Sequence, residues 1–283
     1  MKGAAMRIRR LILGFILSVI FLTTPIISEA GGFNLGVKGW YTIWDSAVLD
    51  WFEKNLITDL ASLGRTIDAS KDSGSGYLLG PLISYQTNDG KWSASLAAMV
   101  FSSFSQDWDG SAAGMDMDAD VDLERYDIDL ALSYSLNKYM WLFIGYKYQD
   151  MNMDFRLTYT ATMGTITNEY KLESSVHIPT GGVGFVYPIT DKLALGLQLG
   201  LLYTIPDLTM IDNDGTTYDI WPRGDFGFNG EFNINYRLID HLIFQLGFRY
   251  QHFQLEARMP ETWEKIESDD ITYGPTLSAI WVF

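Results

Sequence analysis

Histidine and cysteine supply much of the side-chain chemistry available near neutral pH. This chain holds three of the first, His177, His241 and His252, and none of the second. Without cysteine there is no disulfide, no thiolate metal site and no thiol nucleophile. Ser174 and Ser175 stand near His177, but the sequence supplies no acid that would orient that imidazole for a hydroxyl nucleophile. The expectation is a protein that is not an enzyme and that carries no cofactor.

A second pattern is acidic. Asp116, Asp118, Asp120 and Asp122 place carboxylates at every second residue, as the first half of a calcium-binding loop does. Val121 stands where such a loop needs glycine, and Asp127 where it needs a bidentate Glu. The four acids fit one face of a strand equally well and make weak metal candidates. Asp212, Asn213, Asp214 and Gly215 read first as a turn.

The third group is a set of charges that alternate with apolar residues. Lys38, Asp127, Asp129, Lys147, Glu231, Arg237 and Arg249 each lie in stretches whose dominant period is two. In one such stretch Phe226, Phe228, Phe232, Ile234 and Tyr236 alternate with Gly227, Asn229, Glu231, Asn233 and Asn235. These are strands with one apolar face and one small or polar face. Four turns recur after Tyr85, Tyr134, Tyr187 and Tyr236, each a Tyr followed by Asn, Asp or Gly types. Around the second and fourth, Lys147 and Gln149 match Arg249 and Gln251 at one common offset. Four turns, with a strand before the first and after the last, predict ten strands. Their approximate ranges are 33–44, 76–87, 91–104, 121–136, 139–151, 175–187, 192–205, 224–238, 241–255 and 271–283. Long connections are expected at 45–75, 105–120, 152–174, 206–223 and 256–270.

The first thirty residues differ from the rest. Lys2, Arg7, Arg9 and Arg10 precede an apolar run from Leu11 to Leu22, and Ser28, Glu29 and Ala30 form a small-x-small site. This is the three-part pattern of a secretory signal peptide over 1–30. Its removal leaves the net charge, −15 for the whole chain, at −18. That acidity argues against a nucleic-acid partner. A hydrophobic fraction of 47% argues against disorder, and a mean hydropathy of +0.02 against a bundle of membrane helices.

The polar strand faces hold Gly, Ser, Asn and Gln beside charges of both signs, whereas the apolar faces carry no charge in any strand core. Aromatics bracket the apolar faces, as Tyr126 and Tyr134 do across Ile128, Leu130 and Leu132. Short turns at one end and long connections at the other complete the layout of a barrel that crosses a membrane. At the C-terminus, Tyr273, Leu277, Ala279, Trp281 and the final Phe283 share one face. This resembles the C-terminal signal of bacterial outer-membrane β-barrel proteins. The resemblance implies an all-β fold, a ten-stranded antiparallel up-and-down transmembrane β-barrel over 31–283. It also implies placement in the bacterial outer membrane and recognition of that signal by the barrel-assembly machinery. Outer-membrane lipid and lipopolysaccharide are the surrounding partners. Pro275 lies within the last strand, where its missing N–H removes a ladder bond unless the pairing is already interrupted there.

Two features leave alternatives open. Leu49, Phe52, Leu56, Leu60 and Leu63 recur at steps of three and four, so a short helix is expected over 46–64 in the first extracellular loop. It reads either as a lid over the barrel or as a helix packed on neighbouring loops. The lumen residues Lys38, Asp127, Asp129, Lys147, Glu231, Arg237 and Arg249 read either as a salt-bridged network that plugs the barrel or as the constriction of a small-solute porin. Ten tilted strands give a backbone radius of roughly 10 Å, which favours the plug. The omptin proteases are also ten-stranded barrels of similar length, but their Asp-His constellation has no counterpart in this sequence. A rim-located hydrolase is the remaining alternative. The expected role is structural or surface-interacting.

Overall fold

The computed structural model describes residues 32–45, 67–71, 74–112, 115–161, 164–211, 215–220, 223–258 and 265–283. The signal peptide expected over 1–30 and the helix expected over 46–64 lie outside the described residues. The described chain is all β. Its strands are β1 (Gly32–Asp45), β2 (Ile67–Lys71), β3 (Gly74–Gln86), β4 (Trp92–Met99), β5 (Phe101–Ala112), β6 (Met115–Asn137) and β7 (Met140–Ala161). They continue as β8 (Gly164–Pro188), β9 (Leu193–Tyr203), β10 (Ile205–Ile211), β11 (Thr217–Ile220), β12 (Arg223–Ile239), β13 (Leu242–Arg258) and β14 (Lys265–Val282).

β4 and β5 form one stave interrupted at Val100, and β9 and β10 form another interrupted at Thr204. The ten staves pair antiparallel with their sequence neighbours, and β1 pairs with both β3 and β14, which closes the barrel. β2 and β11 add short edges to β5 and β10 above the rim. All four turns predicted after Tyr85, Tyr134, Tyr187 and Tyr236 are present. In the first, Gly90 takes a positive φ of 67°. There the Thr87 hydroxyl and the Lys91 amide donate to Asp89 and hold its carboxyl below the usual range. Both termini of the described barrel lie at this turn end, which is the periplasmic end of such barrels.

The opposite end corrects the expected long loops. Residues 105–112, 115–120, 152–161 and 164–174 are strand, so β6, β7 and β8 reach 23, 22 and 25 residues against 14 in β1. The reason is local: Thr158 pairs with Thr167 and Thr160 with Thr165, β-branched residues that favour extended backbone on both strands. At about 3.3 Å per residue these staves are roughly 70 Å long, well beyond a bilayer. Asp116, Asp118, Asp120 and Asp122 lie on β6 as extended backbone. Among the described residues no group of acids and histidines is arranged to hold a metal.

The β1–β14 ladder lapses between the Trp40–Thr276 and Ile43–Tyr273 pairs, opposite Gly274 and Pro275. Pro275 therefore costs no bond to β1. A Cβ at Gly274 would stand 2.0 Å from the Tyr41 carbonyl oxygen, so the close approach at this lapse requires glycine.

Candidate functional site

Alternation sends one face of every stave inward. The inward residues at mid-height build a cross-brace. Lys38 Nζ donates to both carboxylate oxygens of Glu231, at 3.0 and 2.9 Å. Arg249 Nη1 donates to Asp129 Oδ2 at 2.9 Å, a bond from β13 to β6 across the full width of the barrel. Asp127 is fully buried and accepts the Arg125 guanidinium through Nε at 2.9 Å and Nη2 at 3.0 Å. Its Oδ2 also faces Lys147 Nζ at 2.9 Å. Lys147 donates in turn to Gln251, and Gln251 to Gln149. Of the repeat partners, Lys147, Gln149 and Gln251 thus meet in space, while Arg249 bonds to Asp129.

Six of the seven lumen charges expected from alternation belong to this network. Arg237 is the exception: it is exposed near the periplasmic turn, where a register shift between Arg237 and Ile239 ends the regular alternation. Arg125 is the member that sequence reasoning missed. It lies on the same odd-numbered face of β6 as Asp127 and Asp129, and its parity alone assigns it inward. Trp40 is the second omission. It is buried at the centre, with Arg249 4.8 Å, Lys147 5.4 Å and Arg125 5.7 Å from its ring. The electron-rich ring face favours cations at these distances.

Above this brace the lumen changes character. Leu78, Met99, Met153, Leu172, Val176 and Phe253 form a buried apolar cluster with Trp44, whose Nε1 donates to Asp270 at 3.0 Å. The expected polar lumen is therefore polar only in its middle and lower parts. The upper storey is a hydrophobic core inside the barrel, closed by side chains of the strands themselves.

The histidines face outward. His177 is hydrogen-bonded to the Tyr146 hydroxyl and lies 5.1 Å from the Tyr148 ring. His241 is in a periplasmic turn beside Trp281. His252 Nε2 is 3.1 Å from Asp269 Oδ1, a pairing between β13 and β14 that no local motif announced. Its neighbour is the outward ring of Phe228, so this pair stands on the outer surface of the barrel.

The exterior settles the environment. Leu130, Ile144, Leu199, Phe228, Phe232 and Leu246 are all exposed, and the outward positions between the aromatic girdles on these strands are apolar or glycine. Tyr134, Tyr139, Tyr187 and Tyr236 ring the lower edge, and Tyr41, Tyr77, Tyr126 and Tyr203 the upper. A closed antiparallel barrel with an uncharged belt between two aromatic girdles is built for a bilayer. No protein-family model matches the chain, and no curated protein sequence matches it. Among solved structures the chain is similar to the outer membrane protease OmpT from Escherichia coli. The TM-score is 0.51 at 10% identity, over 92% of this chain and 100% of that one. It is also similar to the translocator domain of the autotransporter NalP from Neisseria meningitidis, with a TM-score of 0.47 at 9% identity over 99% and 98% of the two chains. The chain has the closed antiparallel β-barrel fold of the first of these structures. At such identities the likeness concerns the fold alone. In this barrel Leu277 and Trp281 lie exposed on the outer side of β14, and Phe283, just after it, is exposed too. Phe283 also donates its amide to the Phe33 carbonyl at 2.9 Å, so the last residue fastens the lower seam.

Proposed function

We propose that this outer-membrane barrel is a non-conducting scaffold whose work is done at the cell surface by its tall β5–β8 wall. The observation that carries the reading is the filled lumen. Trp40, Arg125, Asp127, Lys147, Gln149 and Gln251 are buried at mid-height, and the apolar cluster lies directly above them. A solute would have to break ion pairs in a low-dielectric space and then pass a dry core, and each step is costly. Lipid and lipopolysaccharide around the belt, and the barrel-assembly machinery during biogenesis, are the partners this reading implies. No catalytic role is assigned. In support, the histidines lie on the outer surface or in a turn, away from the lumen.

Planar-bilayer recording of the refolded protein tests the reading. We expect no stable single-channel steps from the wild type. Arg249→Ala is expected to stay silent too, because it opens the brace but leaves the apolar storey closed. Reproducible steps whose ion selectivity shifts with Arg249→Ala would establish a pore instead.

A further inference from the structure

Below the brace the lumen is not filled. A cavity of about 490 Å³ is roofed by the Lys38–Glu231 and Arg249–Asp129 pairs. A second space of about 570 Å³ at the periplasmic turns shares Trp141 and Val186 with it. Trp141 therefore stands at the neck between the turn end and the inner cavity. The cavity is closed above and approached from below, and its size is that of an ordinary small-molecule site.

Its lining has a definite chemistry. On one side Trp141 and Phe143 present aromatic surface. The position of Trp141 depends on Gly184 of the next strand, where a Cβ would stand 2.0 Å from the indole. On the other side lie carboxamides. Gln245 Nε2 donates to Asn235 Oδ1 at 3.0 Å, and Asn235 Nδ2 donates to Asn233 Oδ1 at 2.8 Å. Asn229 stands further up β12, laid over Gly200, where a Cβ would meet its Oδ1 at 2.4 Å. Each carboxamide has two N–H donors and an acceptor oxygen, so this ladder leaves capacity for a ligand. In the roof Asp129 Oδ2 holds Arg249, and Asp129 Oδ1 is buried without a hydrogen-bond partner. The two roof pairs cancel in charge; Lys147, which also lines the cavity, shares Asp127 with Arg125.

An aromatic face and a bank of carboxamides beneath paired charges suit a polyhydroxylated solute. Its C–H face would stack on the indole. Its hydroxyls would both donate and accept, matching the N–H and C=O groups of the carboxamides, whereas a quaternary amine offers neither a donor nor an acceptor. We infer that the lower lumen is a binding site, entered from the periplasm past Trp141, for a saccharide of one or two sugar units. The inference goes beyond the non-conducting reading and does not depend on it, because a ligand can enter and leave by the same mouth.

Saturation-transfer NMR on the full-length protein, refolded in an amine-oxide detergent without sugar headgroups, tests it. The probes are sucrose and N-acetylglucosamine, with glycine betaine and inorganic phosphate as controls. The expected result is saturable transfer to a sugar and none to the controls. In Trp141→Ala and Asn235→Ala, both confirmed as folded by heat-modifiable gel mobility, sugar affinity is expected to fall at least tenfold. If Trp141→Ala does not fold, Asn235→Ala decides alone. Absence of saturable transfer to either sugar, transfer unchanged in the folded variants, or equal transfer to betaine or phosphate would each overturn the assignment.

Discussion

Asp127→Ala is expected to lower the unfolding free energy of the barrel by about 3–5 kcal/mol, the range for breaking a buried ion pair from one side. The carboxylate is buried between two cations, Arg125 at 1% exposure and Lys147 at 4%. It receives the Arg125 guanidinium at two points and Lys147 at a third. Alanine leaves both cations in the low-dielectric middle of the barrel beside a Trp40 ring that only partly compensates them. Urea unfolding of protein refolded in lipid vesicles, followed by tryptophan fluorescence, measures the loss. The triple variant Arg125→Met, Asp127→Leu, Lys147→Met removes all three charges together and is expected to recover most of the stability. A change below about 1 kcal/mol for Asp127→Ala would show that water reaches these groups and that the brace is not a dry plug.

Leu130→Arg is the second large effect. Leu130 is 51% exposed on the outer face of β6, midway between Tyr126 and Tyr134. An Arg at the bilayer midplane costs about 2–4 kcal/mol, and near the interface about 0–1. Leu130→Arg should therefore lie at the upper end and Tyr126→Arg at the lower, in the same vesicle unfolding assay. Equal costs at the two positions would be incompatible with a lipid-facing belt, whereas the graded result fixes the height of the barrel in the membrane. The comparison also separates the two faces, because the neighbouring charge Asp129 points inward and is paired with Arg249.

Much of this arrangement was legible before any coordinates. A strict period of two separates Ile128, Leu130 and Leu132 from Asp127 and Asp129, and no other chain geometry keeps those sets apart. The offset shared by Lys147 with Arg249 and by Gln149 with Gln251 marked residues of one network, in which Gln251 touches Gln149 and Lys147. Arg125 obeys the same parity and was readable in principle. The strand extensions were harder. The alternation continues there, with Met153, Phe155, Leu157 and Tyr159 between Asp154, Arg156, Thr158 and Thr160, but it runs beyond the length a bilayer needs, so the stretch reads as a connection. His252 and Asp269 were also illegible as a pair, since their approach is set by the register of β13 on β14.

The sequence by itself determined that the chain is a ten-stranded barrel with its apolar face to lipid, because alternation and turn chemistry are local and each strand carries its own record of both. What fills the barrel was decided only by the tertiary structure. Lys38 finds Glu231, and Arg249 finds Asp129, across the lumen rather than along a strand. Leu78, Met99 and Phe253 become a core only because closure brings their staves face to face. The cavity behind Trp141 exists because glycines on neighbouring strands let the ring and the carboxamides lie back against the wall. Such spaces depend on which side chains meet across a closed sheet, and no single strand contains that information.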